Sequence, residues 1–416
     1  MNLIHKMLAS AASLEQVAPG DLIWPRIDLG CIDDIQFPVF EPLFQGIGKP
    51  IWDRERTVLV ADHYLPAATV DQASIVHAMQ NFAKDWNLAH IFLKQGIKHQ
   101  VLAEAGLITP GMLFCATDSH TNTLGALGCF AAAIGPTEMA ALFYTGRMWF
   151  KVPETIRIRL DGHLPRGVYA KDIALRLLAE HGTQFANYRA IEYTGPLLGA
   201  LSISERMTLC NMSTEMGAKA AIVAADSITR SFYNELGMTP EYPEWTSDPG
   251  AEYAETIELD VTGLEPLVAV PASPSNGVPV HSMLGTPIDQ VFIGSCAGGN
   301  VVDLAIAAQI LRGRRVHPNV AAIVTPASNA IYSTCLASGV IETLLEAGCI
   351  VTNPGCGACA GIHMGVLGSG QVRLSSQNRN FVGRGGHRNS QIYLASAATV
   401  AASAITGTIN DPREFL

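Results

Sequence analysis

The chain has 416 residues, of which 48% are hydrophobic and 15% charged, and its formal net charge is −10. That length corresponds to about two to three domains, with volume enough for cores and a buried site. The acidic balance excludes the usual polyanion binder, whose Lys and Arg contacts to phosphate carry most of the affinity; "RGRR" at 312–315 is short and isolated.

The N-terminal "MNLIHKMLASAASLEQ" has neither the charged start, apolar stretch and cleavage site of a signal peptide nor the arginines of a transit peptide, so a cytoplasmic location is expected. "RTVLVADHY" (56–64) reads as a buried strand, "VDQASIVHAMQNFAKDWN" (70–87) has apolar residues at helical spacing, and "HIFLK" reads as a strand again. This alternation predicts α/β domains with largely parallel sheets. "ETIRIRLDG" (154–162) alternates as a strand does, and Val152-Pro153 before it marks a first boundary. From 250 to 282 the composition shifts to Pro, Ser and Gly without a helical pattern, which places a second boundary near 280. The expected domains are therefore 1–153, 154–280 and 281–416. The apolar run "IYLASAATVAASAITG" from Ile392 is rich in Ala, Ser and Thr, and predicts a buried helix rather than a membrane span.

Polar residues at the carboxyl ends of strands point into the site in α/β architecture. Asp62 and His63 directly follow the strand in "VLVADHY". Asp118, Ser119 and His120 follow the one in "MLFCATDSHTNTLGALG", and Cys296 follows the one in "VFIGSCAGG", just before a helix opening near Val301. One Asp-His pair is usually a hydrogen-bonded histidine in a cap or core. Two in the same topological position suit acid–base chemistry, because a carboxylate that holds a histidine tautomer is how a proton-transferring imidazole is built. His99 in "QGIKHQV" and Glu215 in "CNMSTEMGA" are further candidates.

Nine cysteines at irregular spacings form no disulfide framework in a chain this long, and most are expected to be buried thiols. "GSCAG" (294–298) fits the cysteine form of a nucleophile elbow. A cysteine hydrolase built on Cys296 would draw on Asp303 with His363 or His387, and would leave both Asp-His pairs and the Cys356 and Cys359 of "NPGCGACAG" without a role. A closed zinc site would need a second Cys-x-x-Cys, and an electron-transfer cluster a fourth cysteine nearby. What remains is Cys296, Cys356 and Cys359 around a cluster with one iron left open, and an open metal position acts as a Lewis acid. Downstream, "SQNRNFVGRGGHR" (376–388) holds Asn378, Arg379, Arg384 and Arg388 in a glycine-flanked loop. That loop is either a solvated basic turn or a carboxylate clamp, since guanidinium binds carboxylate bidentately.

With "VADHYLPA", "GIKHQV", "TDSHTNTLGALG", "LCNMSTEMGAKA", "FIGSCAGGNVVDL", "NPGCGACAG" and "NRNFVGR" in this order over essentially the whole length, the chain resembles the aconitase superfamily, and within it the large subunits of 3-isopropylmalate dehydratase and their close relatives. The resemblance implies three α/β/α domains packed around one [4Fe-4S] cluster held by Cys296, Cys356 and Cys359, without the swivel domain of single-chain relatives. It implies a hydro-lyase that isomerises a 2-substituted malate, foremost 2-isopropylmalate to 3-isopropylmalate in leucine biosynthesis, with homoaconitase and methyl- or dimethylmalate dehydratase as alternatives. By the same resemblance His63, oriented by Asp62, would protonate the departing hydroxyl. Asp118 with His99, and His120 with Glu215, would hold the oxygen at the open iron. Ser119, Asn211 and Asn378 would be polar contacts, and Arg379 and Arg384 the carboxylate-binding arginines. A separate small subunit would bring the base serine and the side-group pocket, since the chain ends at "TGTINDPREFL" right after its third domain. Neither a nucleic acid nor a membrane is an expected partner. Two departures bear on the substrate. Ala297-Gly298 stand where the family usually carries Thr-Asn, and "DDIQFP" (33–38) differs from the family's usual pattern, placing Asp33 where substrate contact is expected.

Overall fold

The runs of Val, Ile, Leu and Ala that read as buried strands assemble into mainly parallel sheets in a computed structural model that describes residues 1–416. Contacts group the chain into two units, one of Met1–Lys94, Val101–Asp161 and Ala186–Leu259, the other of Gln95–Gln100, Gly162–Phe185 and Asp260–Leu416.

The first unit holds a five-stranded sheet of β1 (Leu29–Asp33), β2 (Thr57–Val60), β3 (His90–Phe92), β4 (Leu113–Ala116) and β5 (Phe130–Ala133). Its order is β3-β2-β1-β4-β5 and every pairing is parallel. All residues of β1, β2 and β4 are buried, as a parallel sheet covered by helices on both faces requires. The helix Val70–Asp85 is capped by Thr69, whose hydroxyl accepts from the Gln72 N–H, and it buries Met79, Phe82 and Ala83. Phe82 meets Phe37, Phe40 and Phe44 edge-on, with ring centroids 5.6 to 5.8 Å apart, and these rings close one face of the sheet. A second sheet in this unit comprises β6 (Thr155–Asp161), β7 (Ala190–Thr194), β8 (Ala220–Val223) and β9 (Glu255–Asp260), ordered β8-β7-β6-β9.

The second unit is built on a seven-stranded sheet of β10 (Leu267–Ala269), β11 (Gly277–Pro279), β12 (Gln290–Ile293), β13 (Ala321–Val324), β14 (Ile350–Val351), β15 (Val372–Ser375) and β16 (Gln391–Leu394). The order is β11-β10-β16-β15-β12-β13-β14, parallel from β16 to β14 and antiparallel at the β11 and β10 edge. The Pro-, Ser- and Gly-rich stretch 250–282, read as lacking a helical pattern, holds the strands β9, β10 and β11 and the start of a 3₁₀-helix at Val280–Met283. The run from Ile392 is corrected in part: it begins inside β16 and turns helical only at Ala397–Thr406. Its Ala and Ser residues let that helix pack closely, and all its residues from Ala397 to Ala404 are buried. No helix is long and apolar enough to cross a membrane.

Candidate active site

β1, β2 and β4 run parallel as neighbours, so the residues that follow them fall along one edge of the sheet. Asp34 follows β1, Asp62 and His63 follow β2, and Asp118, Ser119 and His120 follow β4. His63 Nδ1 lies 2.8 Å from Asp62 Oδ1 and 3.0 Å from Asp34 Oδ1. The other Asp34 oxygen accepts the backbone N–H groups of His63 at 3.0 Å and Tyr64 at 2.8 Å. Both carboxylate side chains are 0% exposed. Burial pushes the Asp34 carboxyl above the usual carboxylate range, partly offset by its hydrogen bond with His63. The Nδ1 hydrogen bond is made with Asp34, while the Asp62 carboxylate adds its charge from 2.8 Å, so the Nδ1 proton is held in that bond and Nε2 is the nitrogen that can exchange a proton. That Nε2 lies 3.8 Å from Asp118 Oδ2.

Asp34 is absent from the residues that the sequence suggests, where Asp62 alone orients His63. Asp33, expected to face substrate, is buried, and its carboxylate accepts from Thr117 Oγ1 at 2.6 Å and from the Gln36 N–H at 3.0 Å. One carboxylate oxygen of each acid and a ring nitrogen of His63 lie within 4.8 Å of one another, so both acids stand near the ring, while the hydrogen bond to Nδ1 is made by Asp34. The signal for Asp34 was present in "CIDD", an acidic pair ending a strand beside the strand of His63.

The segment after β4 is a 3₁₀-helix over Ser119–Leu127. Asp118 caps it by accepting the His120 N–H at 2.6 Å. His120 Nε2 lies 2.7 Å from Glu215 Oε1, so the expected His120 and Glu215 pair is formed, and Ser119 Oγ lies 3.5 Å from His120 Nδ1. Gly125 allows this helix to rest on β8: a Cβ there would stand 1.7 Å from the Ala221 carbonyl oxygen. Fully buried Asn211, near the end of the helix Ile203–Met212, donates to Thr123 Oγ1 at 2.8 Å.

In the second unit, Ser295 takes a left-handed conformation (φ 70°) after β12, and the chain then enters the helix Val301–Leu311. Ser295 Oγ donates to Asn378 Oδ1 at 3.1 Å, while Asn378 Nδ2 lies 3.6 Å from Cys296 Sγ as a donor. The Ala297-Gly298 departure has a packing reason. A Cβ on residue 298 would stand 2.2 Å from Ser376 Oγ, and the Ser376 hydroxyl is itself bonded to both the N–H and the carbonyl of Gly294. Cys356 and Cys359 lie in the loop after β14, where the Cys359 N–H donates to the Cys356 carbonyl at 3.3 Å and Arg384 donates to Cys359 Sγ at 3.6 Å. Gln377 donates to the carbonyls of Cys359 at 3.3 Å and Arg379 at 2.7 Å, joining the cysteine loop to the arginine loop.

The thiols divide into two kinds. Burial pushes Cys115 and Cys349 up to about 12 and Cys335 up to about 11, and it raises Cys129 and Cys210 as well, which keeps these five protonated and inert. Cys296 and Cys359 instead receive N–H groups from Asn378 and Arg384, the kind of contact that stabilises a thiolate bound to iron. Three sulfurs set on loops after parallel strands, two with such donors, fit an iron–sulfur ligand set. For the elbow reading, Asp303 is the first-turn partner of the Asn300 cap and His387 is an exposed loop residue whose Nδ1 accepts the Asn389 N–H. Asn378 is buried, Arg379 and Arg384 are half-buried, and Arg388 is exposed, so the basic loop is solvated only at its far end. Buried His99 belongs to the second unit, at the start of the helix Lys98–Glu104.

A family model described as the Aconitase family (aconitate hydratase) matches residues 50–407. The chain is 46% identical over 411 residues to a protein of Methanopyrus kandleri named 3-isopropylmalate dehydratase large subunit 1, covering 98% of each. It is 45% identical to a probable methanogen homoaconitase large subunit of Methanothermobacter thermautotrophicus, covering 100% of this chain and 98% of that protein. It is 43% identical to the 3-isopropylmalate dehydratase large subunit of Moorella thermoacetica, over 100% and 99% of the two chains. Among solved structures, the holo-form of Thermococcus kodakaraensis aconitase X matches with a TM-score of 0.52 at 13% identity, covering 90% of this chain and 89% of that one, a likeness of fold.

Proposed function

Because the chain belongs to the aconitase family, we propose that it is the cluster-bearing large subunit of a hydro-lyase that isomerises 2-isopropylmalate to 3-isopropylmalate through an unsaturated diacid. The observation that carries this reading is His63 hydrogen-bonded at Nδ1 to buried Asp34, with the buried Asp62 carboxylate 2.8 Å away, in a chain at 46% identity to a named dehydratase large subunit. In this reading Cys296, Cys356 and Cys359 hold one [4Fe-4S] cluster, which when bound supplies a Lewis acid for the leaving hydroxyl. His63 passes its Nε2 proton to the departing oxygen, while Asp34 and Asp62 stabilise the imidazolium from which that proton comes. Glu215 fixes the ring of His120 for a polar contact to substrate, and Asp118, His99, Ser119, Asn211 and Asn378 complete the polar set. Arg379 and Arg384 bind the substrate carboxylates, which lowers the cost of removing a proton beside them. A small subunit brings the base and the side-group pocket, in keeping with relatives that are named as large subunits. Three domains with boundaries near 153 and 280 and a cytoplasmic location belong to the same reading.

Homoaconitase is the second reading, on the 45% identity to a protein of that name. Turnover of 2-isopropylmalate and of homocitrate with candidate small subunits, alongside iron and acid-labile sulfide analysis of anaerobically purified protein, tests both. About four irons and four sulfides per chain are expected if three thiolates hold one such cluster. An iron-free chain after reconstitution, or no turnover of any malate or citrate analogue, refutes the proposal.

A further inference from the structure

Arg373 lies within β15 and is 0% exposed. Its guanidinium donates to amide oxygens throughout: Nε to Gln290 Oε1 at 2.6 Å, one terminal nitrogen to the Ala358 carbonyl at 2.9 Å and Gln377 Oε1 at 3.4 Å, the other to the Gly365 carbonyl. It also lies 6.0 Å from the centroid of the Phe292 ring. No carboxylate stands within ion-pair distance of it. Burial lowers its pKa to about 10, with Cys359 acting in the opposite direction, so the group is charged at neutral pH. Amide dipoles solvate a cation without neutralising it, and an uncompensated buried charge costs several kcal/mol. The chain therefore carries a deep positive charge whose bonds converge on the loop of Cys356 and Cys359 and, through Gln377, on the carbonyls of Cys359 and Arg379.

We propose that Arg373 is the internal countercharge of the cluster: it positions the Cys356 and Cys359 loop, and its own charge is compensated only when thiolates hold iron there. The inference rests on the cluster reading above. Three thiolates give the assembly a net negative charge, which a buried guanidinium at the back of their loop stabilises in the manner of outer-shell partners at metal sites.

The test compares wild-type protein with Arg373→Met, Arg373→Gln and Arg373→Lys. Each is reconstituted with iron and sulfide, challenged with an iron chelator, and unfolded thermally with and without its cluster. The neutral variants should lose iron about tenfold faster or more, in line with the loss of an outer-shell partner, while the lysine variant stays within about threefold of wild type. The rise in melting temperature on loading should be smaller in the neutral variants than in wild type. Equal iron-loss rates and equal increments in wild type and Arg373→Gln would overturn the inference. So would a lysine variant as defective as the neutral ones, since fork geometry and not charge would then be the cause. Arg373→Gln keeps an amide able to bond the loop, so the comparison survives if Arg373→Met fails to fold. A wild-type chain that takes up no iron would instead bring down the cluster reading itself.

Discussion

Replacing Asp34 by Asn probes how His63 is held without changing the shape of the side chain. In the native arrangement one Asp34 oxygen accepts two backbone N–H groups, at 3.0 and 2.8 Å, and the other faces His63 Nδ1 at 3.0 Å. An asparagine satisfies the backbone with its single carbonyl oxygen and must then turn its NH2 toward Nδ1. Nδ1 then loses the charged acceptor of its hydrogen bond, and Asp62 is left as the carboxylate beside it. A hydrogen bond involving a charged group contributes about 1.5–3 kcal/mol. Asp62 remains at 2.8 Å, so the lower part of that range applies: about 1.5–2 kcal/mol, or a fall in kcat of roughly 10- to 30-fold at about 1.4 kcal/mol per decade. The assay is steady-state kinetics on 2-isopropylmalate with the small subunit, at matched iron content and across pH. A kcat within twofold of wild type at every pH, with full iron content, would refute the role assigned to Asp34.

Gly125→Ala should destabilise the first unit by about 3 kcal/mol, because its Cβ would stand 1.7 Å from a strand carbonyl that cannot move freely; a change under about 1 kcal/mol in urea unfolding would contradict that packing. Cys296→Ser should lower iron content after reconstitution whereas Cys335→Ser leaves it unchanged, and equal iron in both variants would remove Cys296 from the ligand set. Asp172 is buried and accepts the N–H groups of Leu267 and Tyr169, and its carboxyl is pushed up from 3.8 to about 7. Its raised folded-state pKa means that the native chain holds a proton which the unfolded chain has released between pH about 4 and about 7. Stability therefore falls as pH rises through that window, by on the order of 4 kcal/mol in total, and Asp172→Asn should flatten this slope in unfolding curves at pH 5 and 7. An unchanged slope in the variant would assign it to other groups.

The strands that organise the site could be read because a parallel sheet buried on both faces leaves a continuous apolar run, as in "TVLV" and "LFCA". The polar residues just past those runs could be read for the same reason, since the sheet brings the carboxyl ends of its strands together. Residues bound inside one sheet edge were harder. Asp33 and Asp34 are equivalent as letters, and only the folded chain shows that Asp34 is the one that hydrogen-bonds to His63 while Asp33 is held by Thr117 and Gln36. Arg373 sits in a stretch that reads as an ordinary strand with one charge, and nothing in "VRLSSQ" says that the charge is buried or that its bonds run to carbonyls 8 and 15 residues away.

The Ala297-Gly298 departure shows why a motif comparison can mislead where a contact does not. Read along the chain, two polar groups are lost beside Cys296. In the folded unit, position 298 is where the Ser376 hydroxyl approaches β12 closely enough to bond both backbone groups of Gly294. The turn carrying Cys296 is thus held by Ser376 and by the bond of Ser295 to Asn378, both from the segment after β15. Position 298 and position 376 therefore form one unit: a side chain at 298 would displace the Ser376 hydroxyl from Gly294. Gly298 thus leaves room for the Ser376 hydroxyl, and the Cys296 sulfur keeps an amide donor, Asn378, at 3.6 Å.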